Sequence, residues 1–413
     1  MIITIIGVGH VGLTTAVCLA QKGHKIYCVD KDKTILRKIN EGMPPFYEKG
    51  LGGFLRKVVS ENMLKAATNL SKAMKTSDIL FICVGTPSKE SGSIDLSQVR
   101  EIAIEVGKNL RHMPGHKWCL IALKSTVTPG TTQDLVIPTL ETHSGKTAGK
   151  DFGVCVNPEF LREGYAIKDF LFPRDTGIVI GELNSMSGDA LLKLYRDFKC
   201  EILRTDLTTA EMIKYARNCY LAKDISFANE IANICQKLGI DYLKVKRGLE
   251  MDRRIGKGSF LNAGLGFGGS CFPKDVKAMI SKARRKGVKS EILEATLRTN
   301  EFQPCVAIHL LKQVMKSLRN RRITLLGLSF KPHTDDVKNA PSLKIINELL
   351  HQGAFLKVYD PVATENIRKV FGNKISYFER AEDALLESDA CIIVTEWPEF
   401  RNSNIYRNMS GKI

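Results

Sequence analysis

The chain has 413 residues, 44% of them hydrophobic and 25% charged, a composition typical of a globular protein with two or three domains. The net charge is +17, but Lys and Arg are spread along the chain and aromatic residues make up only 7%, which argues against nucleic-acid binding. We expect neither a signal peptide nor a membrane span, because no cationic leader precedes the first apolar run and no stretch of roughly 18 apolar residues occurs.

Over the first 200 residues, short β-branched apolar runs alternate with amphipathic helical stretches. This alternation is typical of βαβ units and predicts a mostly parallel sheet. The predicted strands are Ile2–Ile6, Lys25–Val29, Ile79–Val84, Leu120–Lys124 and Gly153–Val156.

A glycine-rich turn follows the first predicted strand and leads into a predicted helix, Leu13 to Lys22. Its glycines permit a tight turn and bring backbone amides close to a pyrophosphate at the helix start. The second strand ends in a carboxylate, placed where it would bond the ribose hydroxyls, and no arginine follows to favour NADP. The alternative is a βα turn with glycine for packing alone. We predict NAD binding through Gly7, Gly9, Val11, Gly12 and Asp30.

From about Thr208 to Lys237 one helical period continues without proline or glycine, which predicts a single long helix. After Arg319 the βαβ pattern restarts, with strands Ile323–Gly327, Leu356–Tyr359 and Ala390–Thr395 and a helix Ser342–Gln352. The predicted fold is therefore α/β, with two Rossmann-like doubly wound parallel-sheet domains joined by a long central helix.

Eleven cysteines are scattered singly without metal-ligand spacing, so we expect a reducing, cytoplasmic setting and no metal site. Only Cys271 has a special sequence context, because glycines crowd residues 264–269 before it and deny it the packing of a core residue. Lys274 and a helix start near Pro273 would both favour its thiolate, and Asp275 could lie one turn away. The alternative is a flexible loop with an incidental cysteine.

These motifs together resemble the UDP-glucose/GDP-mannose dehydrogenase family, most closely its branch acting on UDP-glucose. The resemblance covers nearly the whole chain, and its motifs occur in the family's order. They lie at residues 7–12, 84–87, 124–126, 157–164, 214 with 218, 254–256, 268–275, 327–331 and 334–336.

The resemblance implies a four-electron oxidation of UDP-glucose to UDP-glucuronate with two NAD used in turn. Cys271 would form first a thiohemiacetal and then a thioester. Lys214 and Asn218 would stabilise an oxyanion, Asp275 would orient or activate water, and two further residues would move a proton through a bound water. The implied catalytic residues are Cys271, Lys214, Asn218, Asp275, Glu159 and Thr126.

The resemblance also implies binding residues and a homodimer, with Arg254 reaching the partner subunit's substrate. Further NAD contacts would be Thr86, Thr126, Glu163, Lys274 and Lys338. Substrate contacts would be Phe160, Leu161, Glu163, Lys214, Arg254, Phe260, Leu261, Asn262, Ala263, Gly264, Gly268 and Lys331. The expected domains are an NAD-binding domain (1–205), a helical dimerisation domain (206–300) and a UDP-sugar-binding domain (301–413), with the active site in the cleft between the two sheet domains.

Three departures from the family pattern stand out. Lys338 replaces the usual arginine, which turns a bidentate phosphate grip into a point charge. Ile35 stands where many relatives have a cofactor-facing lysine, for which Lys33 could substitute. Relatives usually continue into one more strand with an Asp-Gly-Arg-Asn signature, so we expect the C-terminal sheet to lack it after residues 409–413.

Two alternatives remain at this stage. The first is the same chemistry on GDP-mannose or an N-acetylated UDP-sugar, against which the loop at residues 159–164 and the segments 254–256 and 259–264 argue. The second is a catalytically weak regulator that binds NAD or a nucleotide sugar, which the intact set of catalytic residue types opposes.

Overall fold

The computed structural model describes residues 1–67, 69–114, 117–256, 259–407 and 409–411. The chain forms two compact units, Met1–Ala216 and Arg217–Ile413, and the boundary falls inside one long helix, Leu207–Leu238. Each unit contains a sheet flanked by helices, mostly parallel in the first unit and fully parallel in the second. The predicted α/β fold with two sheet domains and a long central helix is confirmed.

In the first unit, strands and helices alternate almost throughout. The strands are β1 Ile2–Ile6, β2 Lys25–Val29, β3 Leu64–Ala67, β4 Ile79–Ile82, β5 Leu120–Leu123, β6 Gly153–Val156, β7 Ile178–Glu182 and β8 Ile202–Asp206. The helices are α1 His10–Gln21, α2 Lys33–Asn40, α3 Leu51–Ser60, α4 Leu70–Met74, α5 Ser97–Arg111, α6 Ile137–Ser144, α7 Ala166–Leu171 and α8 Ser185–Tyr195, followed by the start of α9, Leu207–Leu238. A π-helical turn, Thr132–Val136, leads into α6.

The first sheet has the strand order β3-β2-β1-β4-β5-β6-β7-β8, whose first six strands follow the doubly wound order of a dinucleotide-binding fold. Every neighbouring pair is parallel except β6 with β7. Helices cover both faces, so a central strand is buried on both sides: Ile3 and Ile5 pack into one core cluster and Ile6 into the other. This burial explains the continuous apolar runs in the sequence.

Three of the five strands predicted for this unit have the observed bounds, and two end earlier than predicted. β4 ends at Ile82 rather than Val84, and β5 ends at Leu123, so Lys124 lies just beyond the sheet. The prediction missed three strands. β3 contains a lysine, β8 ends in Arg-Thr-Asp, and β7 contains a glycine, so none has a full apolar run.

The second unit holds the rest of α9 and a smaller sheet. Its helices are α10 Tyr242–Met251, α11 Phe272–Arg285, α12 Glu291–Val314, α13 Pro341–His351, α14 Thr364–Phe371 and α15 Ala381–Leu385. Its strands are β9 Arg322–Leu326, β10 Phe355–Tyr359, β11 Ser376–Tyr377 and β12 Ala390–Ile393, all parallel in the order β11-β10-β9-β12. The predicted strands and helix of this region are confirmed to within two residues at each end.

The last predicted feature concerns the C-terminal end of the chain. Residues 412 and 413 lie outside the described part, whereas residues 409–411 follow a short helical turn, Ser403–Tyr406. Among the described residues, no helix combines the length and the apolar character that crossing a membrane requires.

Candidate active site

The turn after β1 is built as a phosphate-binding turn requires. Gly7 has φ +88°, and a Cβ there would lie 2.8 Å from the Cys83 carbonyl oxygen. A Cβ on Gly12 would overlap the Gly7 carbonyl oxygen, so glycine is needed for packing. Gly9 is different, because no heavy atom lies within 4 Å of its added Cβ. This open space faces the start of α1, where backbone amides suit a pyrophosphate, so the turn fits a dinucleotide.

Asp30 follows β2, as predicted, and its carboxylate is tied to the turn. One oxygen accepts the Val8 N–H at 2.9 Å and the other accepts the Asp32 N–H at 3.0 Å. Nearby, Ile35 packs against the core, whereas Lys33 is exposed. Thr86 and Thr126 are also brought together, because the Thr86 hydroxyl donates to the Thr126 carbonyl at 2.8 Å.

A buried ion pair joins two of the predicted catalytic residues of the first unit. The Lys214 ammonium lies 2.8 Å from the Glu159 carboxylate and 2.7 Å from the Glu159 carbonyl oxygen. Burial acts to raise the pKa of Glu159, but the charge and hydrogen bond of Lys214 and the Leu161 N–H outweigh it, so the pKa lies below its usual range. Glu159 is therefore a carboxylate at neutral pH.

Beside this pair lies Lys124, to which no role was assigned from the sequence. Its ammonium donates to the Asn157 side-chain oxygen at 2.9 Å, and burial lowers its pKa to about 8. The Tyr195 hydroxyl donates to the same oxygen at 2.6 Å. Lys124 thus brings a second amine, with a lowered pKa, close enough to Glu159 and Lys214 to interact with their charges.

The loop after β6 carries the predicted substrate residues Phe160, Leu161 and Glu163. The Leu161 N–H donates to Glu159 at 2.6 Å, and the Phe160 ring lies 5.6 Å from the Lys214 ammonium. Arg162 forms an ion pair of 2.7 Å with Asp169 of α7. Two carboxylates, Glu159 and Asp169, therefore hold the loop. Asp169 was not predicted from the sequence, because it lies outside the motif at residues 157–164.

In the second unit, Cys271 immediately precedes α11 and is exposed, whereas the other ten cysteines are buried or half-buried. The Asp275 N–H donates to the Cys271 carbonyl at 2.9 Å, so the two residues are one helical turn apart. The buried Asp275 carboxylate accepts from the Lys274 ammonium and from the Asn218 side-chain amide, both at 2.6 Å. The helix start and the Asp275 position agree with the sequence-based expectation.

Close packing requires glycine at the two positions nearest to Ser270 and Cys271, Gly268 and Gly269. A Cβ on Gly268 would lie 2.5 Å from the Asn339 carbonyl oxygen. Gly269 has φ +77°, and its N–H donates to the Lys338 carbonyl at 2.7 Å. The cysteine loop thus contacts the segment that carries the predicted ligand contacts Lys331 and Lys338.

Polar side chains of three helices hold the predicted nucleotide segment, residues 260–264. The Gly264 N–H donates to Asn229 of α9 at 2.7 Å, and its carbonyl accepts from Gln303 of α12 at 2.8 Å. The Tyr242 hydroxyl of α10 donates to the Leu261 carbonyl at 2.9 Å, and the Asn262 side chain accepts from Lys246 at 2.5 Å. No local sequence signal marked Asn229, Gln303 or Tyr242, since each acts through a residue distant in the chain.

The hydrogen-bond partners of Lys214, Asn218 and Arg254 differ from those that the sequence suggested. Lys214 and Asn218 lie four residues apart on α9, as predicted, but Lys214 bonds Glu159 while Asn218 bonds Asp275. The exposed Arg254, expected at a partner subunit, bonds the carboxylate of Asp252 at 2.6 Å in its own chain.

Three family models match the chain in succession. They describe the UDP-glucose/GDP-mannose dehydrogenase family: its NAD binding domain matches residues 1–199, its central domain residues 208–302, and its UDP binding domain residues 324–413. The first matched domain contains the glycine turn and Asp30, so NAD is the cofactor expected from the turn and from the family alike.

Similar proteins and structures span nearly the full chain. A UDP-glucose 6-dehydrogenase of Rickettsia bellii is 41% identical over 97% of this chain and 90% of its own. UDP-glucose 6-dehydrogenase TuaD of Bacillus subtilis is 40% identical over 98% of this chain and 86% of its own. A solved UDP-glucose dehydrogenase from Pyrobaculum islandicum has a TM-score of 0.93 at 37% identity, covering 99% of this chain and 96% of that one.

Proposed function

The chain belongs to the UDP-glucose/GDP-mannose dehydrogenase family, and we propose that it oxidises UDP-glucose to UDP-glucuronate with two molecules of NAD. The observation that carries this proposal is the exposed Cys271 at the start of α11, one turn from a buried Asp275. A thiolate at this place is a nucleophile able to retain an aldehyde until it is oxidised again. The choice of UDP-glucose as substrate is supported by relatives named UDP-glucose 6-dehydrogenase, which are about 40% identical to this chain.

In the first oxidation the 6-hydroxyl loses a proton and C6 loses a hydride. Bound NAD supplies the hydride acceptor in both oxidations. Glu159, ionised beside Lys214, accepts the hydroxyl proton through a water held with Thr126. Lys214 then stabilises the developing alkoxide, which favours the transition state over the bound alcohol.

In the second half the Cys271 sulfur adds to the aldehyde carbon and gives a thiohemiacetal, whose oxyanion Lys214 and Asn218 stabilise. Loss of the second hydride leaves a thioester. Water attacks the thioester carbon as it loses one proton, and the C–S bond breaks, which restores the thiolate and leaves a carboxylic acid. The carboxylic acid releases the second proton to solvent and departs as the carboxylate. Asp275, held by Lys274 and Asn218, accepts the proton of that water.

The binding residues belong to the same proposal. The NAD contacts are Gly7, Gly9, Val11, Gly12, Asp30, Thr86, Thr126, Glu163, Lys274 and Lys338. The substrate contacts are Phe160, Leu161, Glu163, Lys214, Arg254, Phe260, Leu261, Asn262, Ala263, Gly264, Gly268 and Lys331. The proposed domains, 1–205, 206–300 and 301–413, are supported by family models that change near the same places.

The protein is further proposed to act as a homodimer through α9. Large apolar side chains repeat at seven-residue spacing on one face of this helix: Tyr220, Phe227 and Ile234 are 61%, 49% and 48% exposed. Leu238 of α9 and Leu243 of α10 are also exposed. An apolar stripe of this length is typical of a protein–protein interface. A cytoplasmic location completes the proposal.

The deciding experiment measures NADH formed from a limiting, known amount of UDP-glucose, with GDP-mannose and UDP-N-acetylglucosamine in parallel. We expect two NADH per UDP-glucose and little NADH from the other sugars. Two NADH from another sugar would reassign the substrate, and NADH from none would favour a binding protein without catalysis.

A Cys271→Ser variant tests the cysteine step. We expect it to lose steady-state turnover by about 10³-fold or more, because a serine ester hydrolyses poorly where a thioester should form. Quenched reactions analysed by mass spectrometry should show the sugar arrested part-way. Cys200→Ser, at a half-buried cysteine of the first unit, is the control and should retain turnover. Full turnover by Cys271→Ser would contradict the assignment.

A further inference from the structure

Glu48 is a buried carboxylate to which the proposed mechanism gives no role. It lies in the connection between α2 and α3, and its side chain is 0% exposed. Burial of a carboxylate is strongly unfavourable unless hydrogen bonds compensate it. The groups that bond Glu48 therefore define what this residue holds in place.

Two of its partners belong to the end of the predicted substrate loop. The Gly164 N–H donates to one carboxylate oxygen at 2.7 Å, and the Ala166 N–H donates to the other at 3.0 Å. Gly164 has φ +78°, where the chain turns sharply, and Ala166 is the first residue of α7. Glu48 thus fixes the point at which the loop carrying Phe160, Leu161 and Glu163 returns to the fold.

The third partner belongs to the dinucleotide turn. The His10 ring lies 2.9 Å, through Nε2, from the carboxylate oxygen that also accepts the Gly164 N–H. His10 follows Gly9 and is the first residue of α1. Its ring also stacks on Phe46, with centroids 4.2 Å apart and planes at 23°. The connection from α2 to α3 therefore holds the turn through two side chains.

We propose that Glu48 is a positioning residue that holds the substrate loop in register with the dinucleotide turn. This inference rests on the proposed function, which gives UDP-glucose to the loop and NAD to the turn. Hydride transfer tolerates little error in the distance between the two reacting carbons, so both ligands need a shared anchor. Glu48 provides it, because one carboxylate bonds a residue of each binding segment.

Substitution by glutamine removes this anchor with minimal change of shape. Glutamine has one oxygen and one NH₂ group where Glu48 has two oxygens. In either orientation its NH₂ group would face a backbone N–H, that of Ala166 or that of Gly164 beside His10, so one hydrogen bond would be lost. Two further variants separate the two sides. His10→Phe keeps a ring against Phe46 but breaks the link to the turn. Asp169→Asn weakens the bonds that α7 makes to Arg162 of the substrate loop.

The experiment measures the dissociation constants of NAD and of UDP-glucose separately by calorimetry, on the full chain and its three variants. Glu48→Gln should weaken both ligands by roughly tenfold or more. His10→Phe should weaken NAD and leave UDP-glucose within twofold, whereas Asp169→Asn should weaken UDP-glucose more than NAD, whose one proposed contact in the loop is Glu163. A residue that merely stabilises the fold would not produce this division between the two ligands.

Two results would overturn the role of Glu48. One is a folded Glu48→Gln variant that binds either ligand within twofold of the unsubstituted chain. The other is unchanged NAD binding by His10→Phe. This second result is the one to use if the circular dichroism of Glu48→Gln shows that the variant has not folded. Failure of the proposed function is a distinct outcome, because the unsubstituted chain would then fail to bind UDP-glucose or would bind it without forming NADH.

Discussion

Single carboxylates set much of the local geometry in the first unit, and Glu211 shows how burial changes the ionisation of such a group. This residue of α9 is 2% exposed and accepts the Gly130 N–H at 2.6 Å, the Thr132 N–H at 2.8 Å and the Thr132 hydroxyl at 2.6 Å. It thereby caps the π-helical turn before α6. Burial raises the pKa of Glu211 to about 7, although these three bonds oppose the rise.

This raised pKa predicts a decline of stability with pH. Between the unfolded value near 4.5 and about 7, the folded chain holds the proton more tightly than the unfolded chain does. The stability from neutral Glu211 is therefore present at acid pH and lost as pH rises through 7, by about 2–3 kcal/mol. Urea unfolding of the parent chain and of Glu211→Gln at pH 5 and pH 8 should show the parent losing that much relative to the variant. An equal difference at both pH values would contradict the prediction.

Among the secondary-structure elements, the turn between β1 and α1 contains glycines with two different roles: Gly12 is needed for folding, and Gly9 is needed for a ligand. Gly12 has no room for a Cβ, whereas Gly9 has open space around it and an ordinary φ of −68°. Alanine at Gly12 must move the turn, and alanine at Gly9 need move nothing until a pyrophosphate approaches.

We therefore expect opposite effects from two alanine substitutions. Gly12→Ala should lower the thermal midpoint by several degrees, because the added methyl group forces α1 away from β1. Gly9→Ala should keep the midpoint within about 2 °C and weaken NAD roughly tenfold or more. Scanning calorimetry without ligand and NAD titration give the two quantities. Unchanged NAD affinity in Gly9→Ala would show that the pyrophosphate does not approach this amide.

For the protein as a whole, the proposed homodimer explains why α9 exposes a row of large apolar side chains to water. Tyr220, Phe227 and Ile234 share one face, since a seven-residue step rotates a helix position by only about 20°. Covering such a stripe removes apolar surface from water, which is the main driving force of association.

A charge in the middle of the stripe should prevent that association. Phe227→Glu places a carboxylate where an apolar partner is expected, so light scattering at micromolar concentration should give the mass of one chain instead of two. Phe355→Lys, at a phenylalanine 61% exposed elsewhere in the second unit, is the control and should remain dimeric. A monomeric parent chain would contradict the dimer itself.

Much of the architecture was predictable because it depends on local order. Apolar periodicity marked the strands of the double winding, the absence of proline and glycine marked α9, and glycine spacing marked the dinucleotide turn. β3, β7 and β8 escaped prediction, because a half-polar or glycine-containing strand acquires its character from neighbouring strands. The antiparallel placement of β7 beside β6 likewise depends on the assembled sheet.

The residue types of the proposed site and their order along the chain could therefore be read from local motifs, including Cys271, Asp275, Lys214 and the glycine turn. Their partners depend on the assembled fold: Lys214 pairs with Glu159, Asn218 with Asp275, and Glu48 with His10 and Gly164. A motif reflects interactions between residues that are neighbours in the sequence. A buried charge, in contrast, is compensated by groups that only folding brings near it. For Glu48 these groups include His10 and Gly164, which are 38 and 116 residues away in the sequence.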